Sequence, residues 1–163
     1  MSLDAFSPPT RAWFEASFGS PTRAQSEAWP QIVDGGHVLL CAPTGSGKTL
    51  AAFLYAIDRL ANEATEPGSG TKVLYISPLR ALAVDVDKNL RSPLRGSALA
   101  AQRLGHRYRE PTVGVRTGDT SAEERRRLRR APPDILITTP ESLYLMLTSA
   151  DVSPVRTPTV GSR

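Results

Sequence analysis

The sequence predicts an α/β fold, a parallel sheet carrying helices on both faces. Three observations predict it. Short apolar runs of strand type alternate with stretches of helical period. A glycine-rich loop joins the first of those runs to a strong helix. At 163 residues the chain can bury one core and is short for two full domains. Hydrophobic content of 40% and charged content of 22% are globular values, so wholesale disorder is excluded as the default.

The elements follow in order. Residues Met1–Pro9 read as an extended lead-in, and Thr10 is placed to cap a short helix, Arg11–Phe18, that ends at Gly19. A second helix spans Arg23–Asp34 and is stopped by Gly35-Gly36. His37–Cys41 is an apolar run of buried-strand type. After the loop, Lys48–Ala64 puts Leu50, Phe53, Leu54, Ile57, Leu60 and Ala61 on one helical face. Thr65–Thr71 is a Gly- and Ser-containing connection. Lys72–Ser77 reads as a strand, and Leu79, Leu82, Ala83, Val86 and Leu90 mark the next helix, after which Ser92–Glu110 reads as irregular or partly helical. Thr112–Arg116 is a third strand. Thr120 and Ser121 offer caps for a charged helix reaching Arg130, with Glu124 completing a capping box. Asp134–Thr138 is a fourth strand, and Pro140 sits in the first turn of a last helix running to about Thr148. From Ala150 the period dissolves. The organisation expected is a lead-in and short helix over 1–20, a domain over 21–149 and an irregular tail over 150–163.

Net charge is +4 with a pI near 9.6, and lysine occurs only at Lys48, Lys72 and Lys88. Arginine therefore carries the positive charge, in a planar donor fork suited to phosphate. A lone Cys41 excludes an internal disulfide and reads as a buried thiol in a reducing compartment. No apolar run approaches the roughly 18 residues that span a bilayer, and the N-terminus lacks a signal pattern. The expectation is a cytoplasmic, nucleic-acid-associated protein with no membrane partner.

Ala42-Pro-Thr-Gly-Ser-Gly-Lys-Thr49 carries the chemistry. Gly45 and Gly47 permit the backbone angles that aim successive N–H groups at one anion, and Thr44 and Ser46 lie between them. The following helix start adds a positive dipole end. Lys48 can reach the β- and γ-phosphates of ATP, and the Thr49 hydroxyl can hold Mg²⁺, so these two are the candidate catalytic pair. Ala42 stands where the general motif has Gly. His37 and His106 lack partners at metal-ligand spacing, so no metal beyond nucleotide-bound Mg²⁺ is expected.

Beyond the loop, Ser77–Asp85 resembles motif Ia of superfamily 2 helicases. Arg116-Thr-Gly-Asp-Thr120 resembles their next glycine-containing motif, and Thr138-Thr-Pro-Glu-Ser-Leu143 resembles motif Ib. Pro21–Gln25, with Trp29-Pro30, is similar to the Q-motif region. The wording of these blocks resembles the large helicase-related (Lhr-type) DNA helicases of the DEAD/DEAH-box class, from about Phe6 to Ser149. The resemblance implies an incomplete first RecA-like domain. It implies an ATP-dependent helicase acting on single-stranded or partly duplex nucleic acid, with DNA favoured. It also implies that Gln25 reads adenine, that Phe6 stacks on it, and that Arg80, Arg116, Gly118, Thr139 and Glu141 follow a single strand. A Gln amide can pair with the N6/N7 edge of adenine. The residues alone leave a surface Gln, a core Phe and ordinary capping or turn residues open. The run Arg125–Arg130, beside Glu123 and Glu124, reads as a solvated face with local ion pairs.

One part is missing. A phosphate loop needs an acid at the end of an apolar strand to hold Mg²⁺. No apolar run in 1–163 is followed by Asp-Glu. The family's Asp-Glu-x-His would follow the helix ending near Ser149. The expectation is a marginally stable chain, a truncated product included, that holds ligands without turning them over. The competing readings are a natural non-catalytic nucleotide- or strand-binding module and, less favoured, a small P-loop kinase.

Overall fold

Proline at the first helical positions lacks only a donor that would be orphaned there anyway. Pro8 and Pro9 accordingly open α1 (Pro8–Phe18), earlier than the expected Arg11. The N-cap is Ser7 rather than Thr10, which lies buried inside the helix. Gly19 ends α1 at φ 73°. In the computed structural model, residues 3–63, 69–78 and 80–148 are described, the side chains of 80–82 and 84 excepted. The expected tail over 150–163 and the helix mark Leu79 lie outside them.

α2 (Arg23–Val33) starts on a complete capping box, with Thr22 Oγ1 accepting from the Gln25 N–H and Gln25 Oε1 accepting from the Thr22 N–H at 3.0 Å. Asp34 closes it and Gly35 follows at φ 77°. α3 (Lys48–Asn62) buries Phe53, Leu54, Ile57, Leu60 and Ala61 of the face its period predicts, together with Ala51 and Asp58, while Leu50 of that face is only partly buried.

The chain divides into two compact units, one formed by Met1–Ala64 with Lys88–Pro111 and the other by Thr65–Asp87 with Thr112–Arg163. The first unit is built around aromatic rings. Phe6, Trp13, Phe14, Trp29 and Leu54 form one buried cluster. Trp29 meets Phe6 and Phe14 edge to face, at centroid distances of 4.8 and 5.5 Å. Such contacts add to the area term that rings of this size already supply. Ser7 ties α1 to α3, its N–H donating to Asp58 Oδ2 at 3.1 Å and its hydroxyl to Oδ1 at 2.5 Å.

Two expectations fail in this unit. Residues 37–41 form no strand, Leu39 is 90% exposed, and Cys41 is exposed rather than buried. A strand exists by pairing its backbone groups with a neighbour, and no described strand takes this run as its neighbour. α4 (Arg80–Leu104) continues through Ser92 and Pro93, so the stretch Ser92–Glu110, expected to be irregular or partly helical, is helical as far as Leu104. An interior proline costs about 3 kcal/mol. Leu90, Leu94 and Ala101 are nonetheless all buried at helical spacing, and burying these apolar side chains offsets that cost.

Gly96 lies on this part of α4 under the indole of Trp13, where an added Cβ would sit 2.0 Å from Trp13 Cδ1. Gly-to-Ala in a helix interior ordinarily gains about 1 kcal/mol. Overpacking of a closed contact costs about 1–3 kcal/mol, so Gly96→Ala is expected to lower stability on balance. Urea denaturation followed by tryptophan fluorescence checks the sign. A midpoint above that of the parent chain would contradict the packing.

The second unit is the sheet. β1 (Val73–Ile76), β2 (Val113–Arg116) and β3 (Ile135–Thr138) run parallel in the order β1-β3-β2. Among the described residues three strands occur where four were expected. β3 is central, and Ile135, Leu136 and Ile137 are buried, as a strand with two neighbours requires. α5 (Ala122–Arg130) and α6 (Pro140–Thr148) flank the strands in sequence. Thr112 and Asp134 lock the strand starts reciprocally: Asp134 Oδ2 accepts from the Thr112 N–H and hydroxyl, and Thr112 Oγ1 accepts from the Asp134 N–H. No described helix is long and apolar enough to cross a membrane.

Candidate functional site

In the first unit the loop 42–49 is held by α2. Thr22 Oγ1 donates to Ser46 O at 2.8 Å, and Gln25 Nε2 donates to Gly47 O at 3.3 Å. The same two residues form the capping box, so the start of α2 and the shape of the loop are one hydrogen-bonded unit. Gly45 and Gly47 adopt φ 84° and 80°, the left-handed region that the expected cradle requires. A Cβ on Gly47 would lie 2.4 Å from Gln25 Nε2. Lys48 Nζ donates to Ala42 O and Pro43 O, at 2.5 and 2.6 Å. Its ammonium is thereby folded back onto the loop. The Ser46 hydroxyl is buried without a partner, and Thr49 is exposed at the first turn of α3.

A cleft of about 670 Å³ opens on this loop, lined by Thr44, Gly45, Gly47, Lys48, Thr49 and Gln25 from the loop side. Its volume lies in the range of small-molecule sites. The two residues expected to hold adenine sit differently from one another. Gln25 lines the cleft, yet is only 3% exposed and spends its amide on Thr22 and Gly47. Phe6 is 3% exposed in the aromatic cluster, so stacking a base on it would require it to leave that cluster. The ring with a free face along the cleft is Phe18, 56% exposed. Sequence reading passed over it, and over Thr22. The Thr-x-x-Gln spacing at 22–25 was the available signal for Thr22.

The second unit collects the other candidates. The ladder register sets Ile76, Thr138 and Arg116 side by side at the carboxyl ends of the three strands. Arg80, Gly118, Thr139 and Glu141 follow those ends directly, the location where open α/β sheets bind ligands. Arg80 begins α4, and its side chain lies outside the described residues. Thr117 and Thr120 close a turn around exposed Gly118, with Thr120 Oγ1 accepting from the Thr117 N–H at 2.8 Å. Thr138 Oγ1 donates to Arg116 O at 2.7 Å, linking β3 to β2. Thr139 is buried, its hydroxyl 3.2 Å from Ser142 Oγ, and Glu141 is exposed at the start of α6. Among the described residues no cluster of three metal-ligating side chains occurs.

The sequence profile described as DEAD/DEAH box helicase matches residues 22–159, taking in the phosphate loop and all three strand ends. The chain belongs to the DEAD/DEAH box helicase family. Within this helicase family its resemblance is to Lhr proteins. It is 60% identical over 148 residues to the Lhr helicase/probable uracil glycosylase of Mycolicibacterium smegmatis, an alignment covering 91% of this chain and 10% of that protein. It is 54% identical over 152 residues to the Lhr helicase/uracil glycosylase of Escherichia coli, covering 90% and 10%. The structure of Mycobacterium smegmatis helicase Lhr bound to ssDNA and AMP-PNP superposes with a TM-score of 0.86 at 58% identity, covering 91% of this chain and 19% of that one. The DEAD/DEAH box chain thus spans about a tenth of the length of these two curated relatives. The incomplete RecA-like domain is the fold they share.

Proposed function

We propose that the chain binds Mg²⁺·ATP at the loop 42–49 and single-stranded DNA at the strand ends, as the nucleotide- and strand-binding part of an Lhr-type DNA helicase. The observation that carries the reading is the Thr22–Gln25 clamp on a loop whose two glycines already hold positive φ. Such a loop presents its N–H groups to an anion with little reorganisation. The fit to a triphosphate rests on this chain's own residues. Gly45 and Gly47 keep side chains out of the cradle, and the orphaned Ser46 hydroxyl has a hydrogen bond to give. Lys48 can exchange two carbonyls for phosphate oxygens, and the Thr49 hydroxyl would hold Mg²⁺. The metal's contribution when bound is to neutralise charge on the phosphates. Phe18 offers the aromatic face for the base, while Gln25 serves chiefly to hold the loop.

Single-stranded DNA is the favoured partner because the M. smegmatis relative is seen with it. The residues proposed to follow the strand are Arg80, Arg116, Gly118, Thr139 and Glu141. Thr139 and Glu141 act through the helix start they form, since the buried hydroxyl and the carboxylate are poor phosphate donors. Residues 1–163 contain no Asp-Glu after an apolar strand, so the proposed chemistry here is binding, with hydrolysis and unwinding belonging to the whole helicase. Phosphate release from ATP, measured with and without single-stranded DNA, tests this. The expected rate is indistinguishable from that of Lys48→Ala, whose nucleotide affinity should be at least about tenfold lower for want of a charge-assisted contact. DNA-stimulated release that Lys48→Ala abolishes would overturn the binding-only assignment.

A further inference from the structure

The arginine run on α5 does not behave as a uniformly solvated face. Leu128 anchors the helix to the sheet: a Cβ on Gly114 of β2 would lie 2.7 Å from Leu128 Cδ2 and 2.8 Å from Pro133 Cγ. Position 114 thus leaves room for that side chain only because it is glycine. Arg125 and Arg129 flank Leu128 at helical spacing, on the face turned towards β2. Arg125 Nη2 donates to Gly118 O at 2.9 Å, and its Nε is buried with no partner. Arg116, at the end of β2, is half-buried nearby. Burial, and then the charges of Arg125 and Arg129, hold its guanidinium below the ordinary arginine range.

One acid of α5 is engaged elsewhere. Glu124 accepts from the backbone and hydroxyl of Ser121, which hold its carboxylate below the usual range, with Arg127 as a weaker influence. Among the described residues, none of the α5 arginines lies within ion-pair distance of a carboxylate. Three like charges gathered beside an exposed glycine turn are unfavourable by themselves, since like-charged pairs on a helix are mutually destabilising. A polyanion relieves them.

We propose that Arg116, Arg125 and Arg129 form a phosphate-binding subsite for the DNA strand beside the Gly118 turn. The subsite rests on the strand-binding reading given above and extends it from the strand ends onto α5. The carbonyl of Gly118 orients the Arg125 guanidinium through one Nη2 donor, and a planar guanidinium so fixed can turn its outward donors to a phosphodiester. One further phosphate is thereby neutralised, which fixes the expected salt dependence.

The test is fluorescence anisotropy of a labelled oligo-dT with this chain, titrated at several salt concentrations. Arg125→Ala/Arg129→Ala is expected to weaken binding about tenfold at low salt and to reduce the slope of log K against log salt by about 0.7, the value for one phosphate on a single strand. Arg125→Lys/Arg129→Lys should restore most of the slope and less of the affinity. Arg126→Ala/Arg130→Ala, on the other side of the helix, should leave both close to wild type. Far-UV circular dichroism confirms that each variant is folded. A wild-type chain that binds while the Arg125→Ala/Arg129→Ala variant keeps its affinity and slope overturns the subsite alone. A folded wild-type chain that does not bind oligo-dT overturns the strand-binding reading and the subsite together.

Discussion

Replacing Gly47 by alanine is expected to weaken nucleotide binding strongly while leaving the fold intact. Gly47 sits at φ 80°, and a left-handed conformation costs an L-residue about 1–2 kcal/mol. The methyl group would also stand 2.4 Å from Gln25 Nε2, so the bond from that amide to Gly47 O must open. Together these put the loss near 2–3 kcal/mol, roughly 30- to 150-fold in Kd. The strain falls on the segment proposed to face the phosphates. Gly45, at φ 84°, has nothing within 4 Å of its Cβ position, so alanine there carries the backbone penalty without the clash and should cost less. Titration with a fluorescent ATP analogue would separate the two. Equal losses at both positions would show that the contact with Gln25 does not matter.

Trp29→Ala is the substitution expected to cost most stability. Trp29 is 0% exposed, meets Phe6 and Phe14 edge to face, and donates from Nε1 to Ala51 O at 3.1 Å. Truncating a buried Trp typically costs about 3–5 kcal/mol, a large share of the roughly 5–15 kcal/mol that holds a domain together. Ala51 lies one turn into α3, just past Thr49, so the loss reaches the loop through the helix that carries it. Nucleotide affinity should fall with the folded fraction. Trp29→Phe keeps a ring and loses the hydrogen bond, worth about 1 kcal/mol, and should retain binding. Urea midpoints for the two variants check this. A Trp29→Ala midpoint within experimental error of wild type would mean that the cluster does not support α3.

Much of this was legible in the sequence because it depends on local chemistry. The capping box at 121–124, most of the buried face of α3 and the three strand ends all follow from side-chain type and spacing within a few residues. What was missed depends on partners distant in sequence. The run 37–41 has strand-like composition, but composition cannot supply a neighbouring strand, and Leu39 and Cys41 are exposed. The stretch Ser92–Glu110 was read only as irregular or partly helical, although Leu90, Leu94 and Ala101 continue the helical period across Pro93. Phe6 and Phe18 are alike in sequence, and only packing shows one as core and the other as an open ring at the cleft. In the same way Arg125 could not be told from its neighbours until Gly114 admitted Leu128 and turned that face of α5 towards Gly118.

The most direct test of the central claim is a calorimetric titration of the folded chain with Mg²⁺·AMP-PNP. Saturable binding at one site per chain is expected, weakened at least about 30-fold by Gly47→Ala in a protein whose circular dichroism is unchanged. No heat of binding from a folded wild-type chain, or equal binding by the Gly47→Ala variant, would contradict the assignment of residues 42–49 as the nucleotide site.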